Sequence, residues 1–282
     1  MIIFAVICFY FVVIFLKIYW GIRGDNLGLF ADGLDSVKNL ATLLTAAIFS
    51  KVSLKGVDDT HHFGHTKYDS FGAVIIAISQ LFFSGIAITF VLLKFGQVPA
   101  ESSVRDSLIS FLFMIFVVLG MYVSLRTYKS ESIRAEFWHE FSDLVQTGFV
   151  LLSTYVSVKY FSLVNSVLAL LIALFLLFNG VRTIWRVEKF IMDWAPPPYV
   201  ISAIEKVVSN YKNVYLRENK SLMSSEKKVR VELTIQVEGD MLLSEAHNFS
   251  HIIEDNVRKK LKEIGFEVEN IVIHFEPSGA HR

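Results

Sequence analysis

Six stretches of almost unbroken apolar side chains fill the first 195 residues, near 2–20, 28–50, 71–95, 107–125, 132–160 and 161–185. A hydrocarbon layer about 30 Å thick is crossed by about 20 residues of helix, and backbone in lipid must satisfy its own hydrogen bonds. These stretches predict an α-helical membrane protein with six transmembrane helices. With 53% hydrophobic residues and a mean hydropathy of +0.49, disorder and an ordinary soluble enzyme are excluded. The first stretch outruns a signal-peptide core and leads into Lys17, Tyr19 and Trp20 instead of a small-residue cleavage site, so it reads as a retained helix.

Charge divides the chain in two. Residues 1–199 hold 29 Asp, Glu, Lys and Arg and the 83 residues 200–282 hold 25, so the first part is built for lipid and the second for water. With both termini in the cytoplasm, the inner flanks carry Lys51, Lys55, Lys67, Arg126, Lys129, Arg134, Arg182, Arg186 and Lys189. The outer flanks carry only Lys17, Arg23, Lys94, Arg105 and Lys159, and that asymmetry sets the orientation. Pro196, Pro197 and Pro198 end the membrane part, which gives a transport domain over 1–195 and a cytoplasmic domain over 196–282. In the latter the pattern predicts a helix (Val200 to Asn210), a strand near Val214 to Arg217, a hairpin-like polar stretch, a strand (Val229 to Val237), a helix (Ser244 to Ile264) and a strand (Glu267 to Phe275). That order suggests a small α+β, ferredoxin-like layer. With 27 acids against 27 bases and no long basic run, nucleic acid is not an expected partner. Cys8 is the single cysteine, so any metal must be held by His, Asp and Glu.

Ionisable side chains at bilayer depth are costly and mark function. They gather in the second span, as Asp32, Asp35 and Lys38, and in the fifth, as Glu136, His139, Glu140 and Asp143. Asp35/Asn39 and His139/Asp143 are each four apart, hence on one helix face, and two antiparallel spans can present all four to one point. Polar glue between helices is the alternative, but two acids, a His and an Asn at matched spacing favour a metal site. Two carboxylates and a divalent ion make a nearly neutral cluster, as a low dielectric requires. Without the ion, protonation of His139 and one acid offsets the charge, so metal and protons compete for one site. No HExxH, nucleophile elbow or phosphate loop points to an enzyme.

The segment Ala31-Asp-Gly-Leu-Asp35-Ser-Val-Lys-Asn39, the loop Asp58-Asp-Thr-His61-His-Phe-Gly-His65-Thr-Lys67 and His139-Glu-Phe-Ser-Asp143 resemble the cation diffusion facilitator family, in its bacterial ferrous-iron/zinc efflux-like branch. The resemblance runs over essentially the whole chain. It implies a homodimeric exporter in the cell (inner) membrane that moves divalent metal ions against protons, with Asp35, Asn39, His139 and Asp143 as transport-site ligands. The family usually has Asp where Asn39 stands. A harder, uncharged amide oxygen there leaves Fe²⁺ and Mn²⁺ beside Zn²⁺ as cargo, and Lys38 has no family role. The resemblance further implies a zinc site on Asp58, His61 and His65, with His62 as a substitute, and a charge interlock of Lys67 with Asp193. In the cytoplasmic domain it implies metal binding by His247, His274 and Glu276. His251 is an alternative there and His281 a tail residue, while two further family positions fall near Val214 and Thr234, which do not ligate metal. The competing reading is a membrane-bound metal sensor or scaffold in which Lys38 takes the cargo's place.

Overall fold

Each apolar stretch is one long helix: α1 (Ile2–Arg23), α2 (Leu27–Ser53), α3 (Lys67–Leu93), α4 (Ser102–Tyr128), α5 (Glu131–Lys159) and α6 (Leu163–Ile191). The computed structural model describes residues 2–128, 131–212 and 214–278. Among the described residues, three helices are long and apolar enough to cross a membrane by length and composition, Lys67–Leu93, Ser102–Arg126 and Leu163–Ile191. Helices α2 and α5 carry the charges already singled out. The chain forms two compact units, residues 1–47 with 74–183 and residues 48–73 with 184–282. The ends of α2, α3 and α6 that flank the 54–66 loop and the proline run therefore belong with the later elements.

In the first unit, large apolar side chains such as Phe15, Phe82, Phe116 and Phe175 lie open on the surface, an arrangement suited to lipid and not to water. The turn after α1 holds Asp25, whose φ of 49° is left-handed, and Asn26 N–H returns to Gly21 O at 2.9 Å. Aspartate tolerates that conformation better than most residues. The turn folds α2 back on α1, and the crossing is close because Gly21 has no side chain: a Cβ there would lie 2.7 Å from the backbone nitrogen of Phe30. Small residues admit such an approach. Asn26 then locks the start of α2 from three sides. Its Oδ1 accepts from Leu29 N–H at 3.1 Å and from Asn165 Nδ2 at 3.0 Å, and its Nδ2 donates to Ser107 Oγ at 2.9 Å.

In the second unit Pro198 opens α7 (Pro198–Ser209), a position where the missing N–H costs nothing. The strands β1 (Tyr215–Asn219), β2 (Leu222–Met223) and β3 (Lys228–Val237) follow, then α8 (Leu243–Glu263) and β4 (Glu267–Pro277). The central strand β3 pairs antiparallel with β1 and β2 and parallel with β4, and α8 supplies the crossover that a parallel pair needs. Along β3, Val229, Val231, Leu233, Ile235 and Val237 are buried at alternate positions. They pack with Ile204 and Val208 of α7 and Ile253, Val257 and Leu261 of α8. Both helices thus cover one face of the sheet.

Candidate metal sites

The acids of α2 and α5 are buried, with Asp32, Asp35, Glu140 and Asp143 all under a tenth exposed. Asn39 Nδ2 donates to Asp143 Oδ2 at 2.7 Å, and Tyr10 Oη of α1 donates to the same oxygen at 3.4 Å. Asp35 Oδ1 is 2.8 Å from Lys38 Nζ, while its Oδ2 accepts from Gln146 Nε2 of α5 at 3.0 Å. The same Gln146 nitrogen is 3.0 Å from Asp32 Oδ1. Asp35, Asn39 and Asp143 thus join one hydrogen-bonded network between the two helices. His139, one turn before Asp143, is exposed. The side chain of Glu136 lies outside the described residues.

One member of this network is a lysine that the sequence places on an outer flank. Lys17 is wholly buried. Its Nζ is 2.9 Å from Asp32 Oδ2 and donates to Thr147 Oγ1 at 3.0 Å and Ser36 Oγ at 3.3 Å. Thr147 Oγ1 also donates to Asp32 Oδ2 at 2.9 Å. The cause is the α1–α2 turn: Lys17 and Asp32 stand nearly the same distance either side of Asp25, so antiparallel helices bring them level. A basic and an acidic residue placed symmetrically about a turn signal was the clue in the sequence.

The loop between α2 and α3 builds a tighter constellation. Asp58 Oδ1 accepts from the N–H groups of Thr60 (2.9 Å) and His61 (2.7 Å) and from Thr60 Oγ1 (2.8 Å). The Thr60 hydroxyl foremost, with the backbone N–H groups, holds the Asp58 carboxyl well below the usual carboxylate range, so it is an ionised donor. Its Oδ2 lies 3.4 Å from His65 Nε2. His65 is buried, with Nδ1 3.0 Å from Gly56 O; a proton on Nδ1 then leaves Nε2 as the free lone pair. The His61 and His65 rings are 4.2 Å apart, and one donor atom from each of Asp58, His61 and His65 lies within 4.8 Å of the others. Among the described residues this is the one such trio. Two nitrogens and one ionised oxygen are a donor set that Zn²⁺ accepts in tetrahedral geometry with a fourth position left over. His62 turns away, with Nε2 3.2 Å from Asp59 O.

Lys67, at the start of α3, meets both oxygens of Asp193 at 3.2 and 3.3 Å. Asp193 follows α6 in the left-handed region, at φ 52°. Both side chains are about half exposed. In the sheet, His274 and Glu276 of β4 lie beside Thr234 and Gln236 of β3. They occupy the face opposite α7 and α8, because side chains alternate along a strand and Ile273 and Phe275 point into the core. His247 rides on α8, on the other layer, with its ring 4.7 Å from that of His251. The structure therefore does not gather His247 with His274 and Glu276 in one chain. Glu276 is also held by Arg217 Nη1 at 2.6 Å. His281 lies outside the described residues.

Comparison with known proteins covers the same two parts. Residues 3–190 match the cation efflux transmembrane domain and residues 196–278 match the cation efflux protein cytoplasmic domain. The chain is similar to the cation-efflux pump FieF of Yersinia enterocolitica serotype O:8 / biotype 1B, at 25% identity over 274 residues, 95% of this chain and 89% of that protein. It is similar in the same degree to the FieF pump of Yersinia pestis strain Pestoides F, over 94% of this chain and 88% of the relative. With matches over both parts, the chain belongs to the cation diffusion facilitator family, a family of membrane cation efflux transporters and not of enzymes.

Proposed function

We propose that the chain is a homodimeric exporter of divalent metal cations, with Zn²⁺ as the first candidate cargo and Fe²⁺ or Mn²⁺ as the others, driven by protons moving inward. Helices α1–α6 cross the cell (inner) membrane with both termini in the cytoplasm, and the α7–β4 layer is a ferredoxin-like cytoplasmic domain that helps to pair the protomers. Asp35, Asn39, His139 and Asp143 bind the cargo. The observation that carries this reading is the meeting of α2 and α5 at their polar residues, where Asn39 Nδ2 is 2.7 Å from Asp143 Oδ2. Two buried carboxylates on facing helices can neutralise a divalent ion, and on its departure protons taken up by His139 and one of the acids replace it.

Asp58, His61 and His65 hold a structural Zn²⁺, which clamps the start of the loop to its end. His247, His274 and Glu276 contribute to metal binding in the cytoplasmic domain by joining ligands across the dimer, because one chain separates them. Purified chain in vesicles enclosing a metal-sensitive dye tests the reading: metal entry above that of empty vesicles, faster under a pH gradient, supports it. Flux indifferent to pH would indicate a channel. The Lys38–Asp35 pair favours a second reading, a metal sensor with little transport, for which flux would equal that of empty vesicles while the chain still binds metal.

A further inference from the structure

Asp35 is not an open ligand. Lys38 stands one helical turn on, with Nζ 2.8 Å from Asp35 Oδ1, and each side chain is only 11% exposed. Two of the neighbouring buried acids, Asp32 and Asp143, have other partners. Asp32 is held by Lys17 at 2.9 Å, and Asp143 accepts from Asn39 and Tyr10. Gln146, which contacts both Asp32 and Asp35, is uncharged. Lys38 is therefore the cation that neutralises Asp35.

We propose that the Lys38 ammonium is a tethered cation that occupies Asp35 between transport events and leaves it when a divalent ion binds; this rests on Asp35 being a cargo ligand. Adding a divalent ion with Lys38 still in place would set three positive charges against the carboxylates of Asp35 and Asp143, which a low dielectric penalises. Departure of the ammonium restores balance. Its four-carbon stem lets the charged head move toward water while the apolar part stays packed. After release of the ion, the same lysine returns from one turn away at a high effective concentration. The tether thus weakens metal binding in exchange for release, and it keeps Asp35 from standing as a bare buried charge.

Zn²⁺ titration of the purified full-length chain in detergent tests this, each isotherm being corrected by the matching Asp35→Ala protein so that only the Asp35-dependent site is read. Lys38→Met is expected to tighten that site by at least about tenfold, the effect of losing one favourable competing contact, while Lys38→Arg stays near wild type. In the wild-type chain, Zn²⁺ is expected to speed modification of the Lys38 amine by a small acylating reagent, read by mass spectrometry, and to have no such effect in Asp35→Ala. Unchanged or weaker Zn²⁺ binding by a folded Lys38→Met protein overturns the proposal. If that variant does not fold, Lys38 acylation that Zn²⁺ leaves unchanged or slows overturns it. Tightened binding without any metal flux in vesicles would defeat the export reading and leave the tether standing.

Discussion

Asn39 and Asp143 are 104 positions apart in the chain, yet the Asn39 amide donates a 2.7 Å hydrogen bond to the Asp143 carboxylate. The amide does two things there. It partners one buried carboxylate without adding charge, and in the proposed transport site a turn of the carboxamide would present its carbonyl oxygen to the cargo. Asn39→Asp replaces the donor by a second carboxylate at hydrogen-bond distance, so the metal-free state loses stability and cation affinity rises. The added negative charge restores the carboxylate that the family usually has at this position. A competition flux assay with Zn²⁺ against Mn²⁺ is expected to shift toward Zn²⁺ in Asn39→Asp; an unaltered ratio would separate selectivity from this oxygen.

The Lys17–Asp32 pair has almost no solvent to share its charge, at 0% and 1% exposure. Removing one member leaves a buried charge unpaired, at a cost of about 3–5 kcal/mol. Lys17→Met and Asp32→Leu are each expected to unfold at lower temperature than wild type in detergent. The double variant should recover most of the loss, since an apolar pair of similar volume needs no counter-charge.

The helices were legible in the sequence because apolar length is a direct statement about lipid, and the α2 and α5 acids stood out because nothing in lipid compensates them. The β3 strand was equally plain, its Val229, Val231, Leu233, Ile235 and Val237 alternation being the burial pattern itself. What stayed hidden needed the third dimension. Lys17 looked like a flanking charge until the Asp25 turn set it level with Asp32. Gln146 and Tyr10 carry no formal charge to mark them, and both touch the acids only through helix packing. In the cytoplasmic domain the spacing of His247, His274 and Glu276 says nothing about layers, and the alternation along β4, which turns His274 and Glu276 to the face opposite α8, is what parts them.

His65 joins the loop centre from a buried position, whereas Asp58 is exposed. Loss of the His65 ring removes a nitrogen donor that the Gly56 carbonyl has already oriented. His65→Ala is expected to bind one zinc fewer per chain than wild type by elemental analysis after dialysis, and limited proteolysis should cut the 54–66 loop faster. The same cutting rate in wild-type protein with and without chelator would show that the loop holds its shape without metal.

The Lys67–Asp193 ion pair is half exposed within one chain, where such a contact is worth about 0–1 kcal/mol. In the proposed dimer a shielded pair would be worth more, because its loss strands a charge at the junction. Lys67→Ala is therefore expected to leave the unfolding temperature nearly unchanged and to weaken dimerisation, measured by light scattering across a dilution series. The exchange Lys67→Asp with Asp193→Lys should restore it. A dimer indifferent to all three changes would make the pair a surface contact only.

Export as proposed requires a divalent cation between α2 and α5, and anomalous scattering from crystals of the full chain soaked in Zn²⁺ locates it directly. The predicted result is a peak bounded by Asp35, Asn39, His139 and Asp143, with Lys38 withdrawn from Asp35. No peak between those helices, with the Lys38 ammonium still on the carboxylate while the loop trio is filled, would contradict it.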